Sequence, residues 1–124
     1  MSELRLNLIT GEWVIIATER AKRPEEFRQA AAKRVLPPFS ESCPFCPGHE
    51  DRTPAETLRI PDDGSWLVRA VPNKFSALSP EGDPTRHDAG LKTRLGGIGY
   101  HEVIIESPAH DASTALLPVA QVER

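Results

Sequence analysis

Three short apolar runs stand out in a chain otherwise dominated by charged residues, proline and glycine. They cover residues 13–17, 66–71 and 100–106, and each is rich in β-branched side chains. Runs of this length, bounded by Gly and Pro, predict β-strands. The third run contains an uninterrupted apolar stretch from Val103 to Ile105, which is typical of a strand covered on both faces. We therefore expect an antiparallel sheet that includes all three runs, with Trp13 and Trp66 in its core.

The segments between these runs predict turns, loops and short helices. Residues 7–11 form a turn, residues 40–54 a loop with three prolines and one glycine, and residues 79–97 a long exposed excursion. Residues 24–34 have the composition of a helix with a poor apolar face, so a mobile arm is the alternative. Pro118 suits the first turn of a helix over residues 119–124. Because the chain stops barely two turns into that helix, we expect a fragment of low stability whose sheet has an uncovered apolar face.

Composition narrows the class of ligand. The chain has 124 residues, 39% hydrophobic and 27% charged, which is typical of one soluble globular domain. Its net charge of -3 argues against nucleic-acid binding. Positive charge is concentrated instead between positions 20 and 34, which suits a small anionic ligand. The basic residues there are Arg20, Lys22, Arg23, Arg28, Lys33 and Arg34.

Membrane spanning and secretion are not expected. No apolar run approaches the ~20 residues that cross a bilayer, and the first residues lack the apolar core of a signal peptide. These features predict a cytoplasmic protein with no membrane partner. In a reducing compartment, two cysteines three positions apart indicate metal or redox chemistry rather than a structural disulfide.

Cys43 and Cys46 are separated by Pro-Phe, and thiolates at this spacing can bind one tetrahedral Zn²⁺, with iron as the alternative metal. A closed site needs two more ligands, and the chain offers four histidines: His49, His87, His101 and His110. His110 follows a predicted strand and a Ser-Pro break, so it lies on a loop that can fold back to the cysteines. His101 lies within the strand and is less free to turn, and a histidine as near the pair as His49 is often solvated.

Two other interpretations of the cysteine pair stay open. A thioredoxin-like pair belongs at a strand-to-helix junction, where the helix N-terminus lowers the thiol pKa. Here Pro47 and Gly48 follow the pair and do not start a helix. An inert pair is the third interpretation. Even with His110 the metal would have three good ligands, so the fourth would be solvent or a residue outside this chain.

Five segments, in this order, resemble the N-terminal half of galactose-1-phosphate uridylyltransferases, which belong to the histidine-triad superfamily. They are residues 7–17 (NLITGEWVIIA), 19–24 (ERAKRP), 43–48 (CPFCPG), 71–75 (VPNKF) and 101–110 (HEVIIESPAH). The resemblance covers about residues 4 to 110 and implies that residues 1–124 are the N-terminal part of such an enzyme. It implies an α+β fold: a histidine-triad-like antiparallel sheet with a packed helix, incomplete in this chain.

The resemblance also implies the chemistry. Cys43, Cys46 and His110 match three ligands of the family's structural zinc site. The fourth ligand and the catalytic nucleophile belong to a His-Pro-His-Gly-Gln motif that this sequence lacks, so no catalytic residue is expected here. In the family the histidine attacks the α-phosphorus of UDP-glucose and releases glucose-1-phosphate. The uridylyl-histidine then transfers UMP to galactose-1-phosphate.

Residues that match the family's substrate-binding positions are also present. Arg20 and Arg23 match a basic motif that reaches the sugar-nucleotide phosphates of the neighbouring subunit in a homodimer, and a solvated basic face is the alternative. A second set matches the surroundings of the uracil and ribose, although a plain turn or core packing would explain the same residues. This set comprises Phe45, Asn73, Lys74, Phe75 and Val103.

The sequence departs from the best-known uridylyltransferases in two places. The forms CPFCPGHE and GYHEVIIE resemble a divergent branch that includes enzymes transferring adenylyl groups between ADP-glucose and phosphate. The base and the second hexose phosphate therefore stay open. A free-standing, non-catalytic zinc- or nucleotide-binding module is the alternative to an enzyme part, and a thiol redox protein is a weaker third hypothesis.

Overall fold

The computed structural model describes residues 2–18, 20 and 35–124. It contains seven strands: β1 (Glu3–Leu6), β2 (Trp13–Ile16), β3 (Leu58–Ile60), β4 (Val68–Pro72), β5 (His87–Ala89), β6 (Lys92–Gly96) and β7 (Glu102–Ile105). Within the described ranges a short helix, α1, spans Val119–Val122, and 3-10 turns include Glu50–Arg52 and Thr114–Leu116. All pairings between the strands are antiparallel. The predicted α+β class, dominated by antiparallel sheet, is confirmed.

The chain divides into two compact units, the first made of Met1–Glu26 and Phe75–His101. Its sheet has the order β2-β1-β6-β5. The predicted turn between β1 and β2 is confirmed, since the backbone nitrogen of Gly11 donates to the carbonyl oxygen of Asn7 at 2.8 Å. The side chain of Asn7 accepts a hydrogen bond from the nitrogen of Ile9 at 3.0 Å. Gly11 has a φ of 74°, a left-handed conformation that glycine adopts without strain.

The second unit consists of Phe27–Lys74 and Glu102–Arg124. Its sheet has the order β3-β4-β7, so β4 is the central strand. The core of this unit is a cluster of Trp66, Val71 and Ile105, with Val103 packed against it. Trp66 is 3% exposed, as expected for a core residue.

Residues 79–97 are not the irregular excursion that their composition predicted. They contain β5 and β6, which pair as a hairpin. The hydroxyl of Thr93 on β6 donates a hydrogen bond to Asp88 Oδ1 on β5 at 2.6 Å. The side chains of β6 alternate in burial, with Thr93 and Leu95 more buried than Lys92 and Arg94. That short alternation is a weak signal among so many charged residues, and β1 and β3 were missed for the same reason.

Three expectations about the apolar runs are wrong. The run at Trp13–Ile16 belongs to the first unit's sheet, whereas β4 and β7 pair in the second. Trp13 is 40% exposed rather than in the core, because β2 is an outer strand of its sheet. Ile104 is 68% exposed, because β7 is also an outer strand and the second unit covers one of its faces.

The helix expected after Pro118 is present as α1. Gln121 fastens it to the second unit, since its Nε2 donates to the carbonyl oxygens of Leu67 and Glu106, both at 2.9 Å. The helix or arm expected at residues 24–34 lies outside the described residues. Among the residues that the structure describes, no helix has the length and apolar character needed to cross a bilayer.

Candidate metal centre

In the second unit His110 lies beside the cysteine pair, although 64 positions of sequence separate it from Cys46. The three possible ligand atoms of Cys43, Cys46 and His110 all lie within 4.8 Å of one another. Cys46 Sγ and His110 Nδ1 are 3.5 Å apart. A tetrahedral zinc ion with bonds of ~2.3 Å to sulfur and ~2.1 Å to nitrogen would separate the two atoms by ~3.6 Å. The predicted ligand set is therefore arranged so that it can bind a metal ion.

The loop that carries the cysteines is shaped by hydrogen bonds within residues 40–49. The nitrogen of Cys43 donates to the oxygen of Ser40 at 3.1 Å, and the nitrogen of Ser40 lies 3.4 Å from Cys46 Sγ as a donor. The nitrogen of His49 donates to the oxygen of Cys46 at 3.1 Å, after Gly48 turns the chain with a φ of 87°. An N–H donor aimed at the sulfur stabilises a thiolate, which is the form that binds metals.

His49 is buried rather than solvated, with 7% of its surface exposed. Its Nδ1 lies 2.6 Å from the carbonyl oxygen of Cys43. Because a carbonyl oxygen only accepts, Nδ1 carries the proton. The ring also lies 5.4 Å from that of Phe39. His49 thus stabilises the cysteine loop through its hydrogen bonds. It is not among the three residues whose possible ligand atoms cluster.

The position of His110 follows from the Ser-Pro break after β7, as predicted. The hydroxyl of Ser107 accepts from the nitrogen of Ala109 at 3.2 Å and turns the chain. The nitrogen of His110 then donates to the oxygen of Pro38 at 2.9 Å, which places the ring beside the cysteine loop. The remaining histidines lie elsewhere: His101 Nδ1 accepts from the nitrogen of Ala77 at 2.9 Å, and His87 is exposed on β5.

The electrostatics of Cys46 do not resemble those of a redox cysteine. Burial raises the pKa of its thiol, the hydrogen bond from Ser40 lowers it, and the neighbouring Cys43 raises it again, for a net increase. Redox-active thiols have a lowered pKa, commonly at a helix N-terminus. The 3-10 turn at Glu50–Arg52 begins four residues after Cys46 and supplies no such helix.

A cavity of about 430 Å³ adjoins the ligand set. Phe45 and Val103, both predicted as apolar contacts of a base, line it together with the three possible metal ligands. Phe45 is 39% exposed, so its ring is accessible from the cavity. Sequence reasoning missed Ile104 and the residues from Glu106 to Ala109, which also line the cavity. Their position between an apolar strand and a possible ligand was the signal that could have found them.

The other predicted binding residues are not part of this cavity lining. Asn73 and Lys74 follow β4, with Asn73 half-buried and Lys74 exposed. Phe75 is half-buried and begins the second segment of the first unit. The backbone nitrogen of Arg20 donates to the oxygen of Ala17 at 3.1 Å, and Arg23 lies outside the described residues. Nucleotide contacts by these residues stay predictions.

Comparisons with known proteins point to one family. The family model described as galactose-1-phosphate uridyl transferase, N-terminal domain, matches residues 1–124. An ADP-glucose phosphorylase from Arabidopsis thaliana is 40% identical over 111 residues, which is 87% of this chain and 31% of that protein. A crystal structure of an Arabidopsis thaliana ADP-glucose phosphorylase with bound ADP-glucose covers 98% of this chain and 33% of its own, at 32% identity and a TM-score of 0.53.

A solved uridylyltransferase structure is similar to the same extent. It covers 98% of this chain and 32% of its own, with 28% identity and a TM-score of 0.58. The chain spans about a third of the length of the curated relatives that it matches.

Proposed function

Because the chain belongs to the galactose-1-phosphate uridyl transferase family, we propose that it forms the metal-binding and nucleotide-binding N-terminal region of a nucleotidyltransferase that acts on sugar nucleotides. The main support for this proposal is that the possible ligand atoms of Cys43, Cys46 and His110 lie close together beside a cavity with an apolar wall. A base can lie against such a wall, while the metal fixes the loop and the strand end that form it.

Zinc is the metal that we propose, ahead of iron. Two thiolates and one imidazole are the ligands of structural zinc sites, and an ion bound to them would contribute folding free energy. Cys43 and Cys46 would hold it from the cysteine loop and His110 from the loop that follows β7, with a fourth ligand from solvent or from outside this chain. A pair of free thiols is more readily kept in a reducing compartment, in keeping with the proposed cytoplasmic location.

The substrate contacts proposed here are divided by chemistry. Phe45 and Val103 would contact the base, and Asn73, with Lys74 and Phe75 beside it, would hydrogen-bond the pyrimidine edge or ribose. Arg20 and Arg23 would bind the phosphates, in a homodimer those of the neighbouring subunit. What supports these roles is the match to the family's positions and, for Phe45 and Val103, their place in the cavity.

The reaction proposed for the whole protein is a two-step transfer. A histidine nitrogen forms a bond to the α-phosphorus of UDP-glucose while the bond to the departing hexose-1-phosphate oxygen breaks. Galactose-1-phosphate then takes the nucleotidyl group, and the histidine is regenerated. This sequence contains no His-Pro-His motif. Its residues would therefore bind and orient the sugar nucleotide, and we expect no turnover from the 124-residue chain.

Adenylyl transfer is the second candidate, with ADP-glucose as donor and phosphate as acceptor. It is favoured by the structural comparisons, which give 32% identity to the ADP-glucose phosphorylase and 28% to the uridylyltransferase, each over 98% of this chain. The two candidate reactions would use the same metal site and the same apolar wall. They differ in the base of the donor and in the acceptor.

Binding measurements test both candidates. Titration calorimetry of the zinc-loaded chain with UDP-glucose and with ADP-glucose should show binding, and the tighter ligand identifies the base. Phe45→Ala should weaken it about 5- to 100-fold, the usual effect of losing a base–aromatic contact. Tyr100→Ala is the matched control, because this ring is 82% exposed and outside the cavity. Equal losses for the two variants, or binding of neither sugar nucleotide, would refute the proposed site.

A further inference from the structure

The most deeply buried charged side chain among the described residues contacts the segment that follows the cysteine loop. Arg69, in β4, is 1% exposed. Its Nε donates to Glu56 Oε2 at 2.7 Å, and its Nη2 donates to the hydroxyl of Thr53 at 3.1 Å. Nearby, the indole nitrogen of Trp66 donates to Glu50 Oε1 at 2.7 Å, and the guanidinium of Arg69 lies 5.4 Å from the indole ring. Three residues of one segment are thus fastened to β4 and the residues just before it.

That segment, residues 50–56, continues directly from the cysteine loop. It begins after His49, which bonds back to Cys43 and Cys46. The hydroxyl of Thr53 donates to the oxygen of Glu50 at 2.9 Å, so the two anchor points are joined to each other. A displacement at Thr53 would therefore be transmitted through one short turn to the cysteines.

The third metal ligand depends on the same strand from its other side. β4 pairs with β7, and Arg69 lies opposite Ile105 in the register. Ile105 precedes His110 by five residues, on the strand whose end leads to it. Arg69 therefore occupies a position of β4 that contacts the segment after the cysteines and lies opposite the strand before the histidine.

Arg69 is poorly suited to a purely stabilising role. Its Nη1 is buried and has no hydrogen-bond partner within the described part of the chain. Its counter-ion Glu56 is shared with Arg59, which lies directly opposite on β3 and binds the same carboxylate at 3.2 Å. A buried arginine with an unsatisfied donor contributes less net stability than a fully paired one, although removing it alone would still cost stability, because its partner would lose a counter-charge.

We propose that Arg69 is a positioning residue for the metal centre. Through its contacts with Thr53 and Glu56, it holds the segment that follows the cysteine loop in a fixed position relative to β7, the strand that leads to His110. This inference rests on the proposed metal site, and it concerns how the protein orders the ligands rather than which residues bind the metal.

The test compares Arg69→Met with Arg59→Met in the full chain. Arg59 is the matched control, because it pairs with the same carboxylate but its side chain is 23% exposed and it does not reach Thr53. Zinc affinity is measured by chelator competition, ligand geometry by the absorption spectrum of bound Co²⁺, and stability by urea unfolding in EDTA. We expect Arg69→Met to weaken zinc binding about tenfold and to alter the Co²⁺ spectrum, a loss of affinity larger than its lower unfolding midpoint in EDTA accounts for. Arg59→Met should leave zinc affinity and the spectrum unchanged.

A second pair of variants keeps the inference testable where Arg69→Met does not fold. Thr53→Val removes the hydroxyl that Arg69 binds, whereas Thr53→Ser keeps it. Zinc affinity should fall in the valine variant and be restored in the serine variant. Equal affinities in both pairs, or a loss that matches a loss of stability in EDTA, would overturn the positioning role. A wild-type chain that binds neither Zn²⁺ nor Co²⁺ would overturn the proposed metal site itself, which is a separate result.

Discussion

Two neighbouring isoleucines on β7 allow the second unit's packing to be tested by one pair of substitutions. Ile105 is 9% exposed and belongs to the core cluster with Trp66 and Val71. Ile104, the next residue along the strand, is 68% exposed. The same change, isoleucine to alanine, should therefore have very different costs at adjacent positions.

The expected magnitudes follow from the exposed fractions. Each substitution removes three carbon atoms, each worth about 0.8 kcal/mol when fully buried. At Ile105 this transfer loss is about 2 kcal/mol, and the cavity left against Trp66 adds about 1 kcal/mol. At Ile104 the loss is about 0.8 kcal/mol, since only a third of the side chain is removed from water.

Urea unfolding followed by the fluorescence of Trp66 measures the difference. Trp13 is replaced by phenylalanine in every variant, so that the signal reports on the second unit alone. With an m-value of about 2 kcal/mol per molar urea, Ile105→Ala should lower the midpoint by about 1.5 M and Ile104→Ala by about 0.4 M. Equal shifts would show that both faces of β7 are covered, as its unbroken apolar sequence first indicated, and would refute the one-sided packing.

Three further substitutions have separately measurable outcomes. The hydrogen bond from Arg69 lowers the pKa of Glu56, so this carboxylate stabilises the fold above its ordinary pKa and loses that contribution as the pH falls through the lowered value. Glu56→Gln should accordingly lower the urea midpoint at about pH 7 much more than at about pH 3, and equal effects would refute the pairing. A Cβ on Gly97 would lie 2.9 Å from the carbonyl carbon of Ser2, so Gly97→Ala should destabilise the first unit by about 1–3 kcal/mol. Hydrogen exchange checks this, and unchanged amide protection would contradict the contact. Cys46→Ser should abolish metal retention after dialysis, measured by atomic absorption, and full retention would place the metal at other residues.

The parts of the fold that sequence predicted are those with strong local signals. The apolar composition of β2, β4 and β7 predicted strands at nearly the observed bounds, and Pro118 predicted the start of α1. His110 was found among four histidines because a Ser-Pro break frees the chain after a strand. Its place beside the cysteines is the outcome that the structure adds.

What sequence missed depends on contacts between distant residues. β5 and β6 consist mostly of polar side chains, and most of these are exposed in the first unit. Their sequences therefore show almost no hydrophobic pattern that would predict the pairing. The exposure of Ile104 is set by the position of β7 at the side of its sheet, which no local pattern encodes. Arg69 gave no signal either, since an arginine inside an apolar run resembles a solvent-facing residue until its partners are known.

Metal binding and the apolar wall should be coupled, because they use the same two pieces of chain. Phe45 lies between the two cysteines, and Ile104 lies on β7, which leads to the loop that carries His110. An ion bound to Cys43, Cys46 and His110 would join the cysteine loop to the loop after β7. It would thereby fix the distance between Phe45 and Ile104, which both line the cavity. Metal removal should therefore weaken binding of a base as well as lower stability. A sugar nucleotide that binds equally well to the chain with and without zinc would show that the cavity holds its shape independently of the metal.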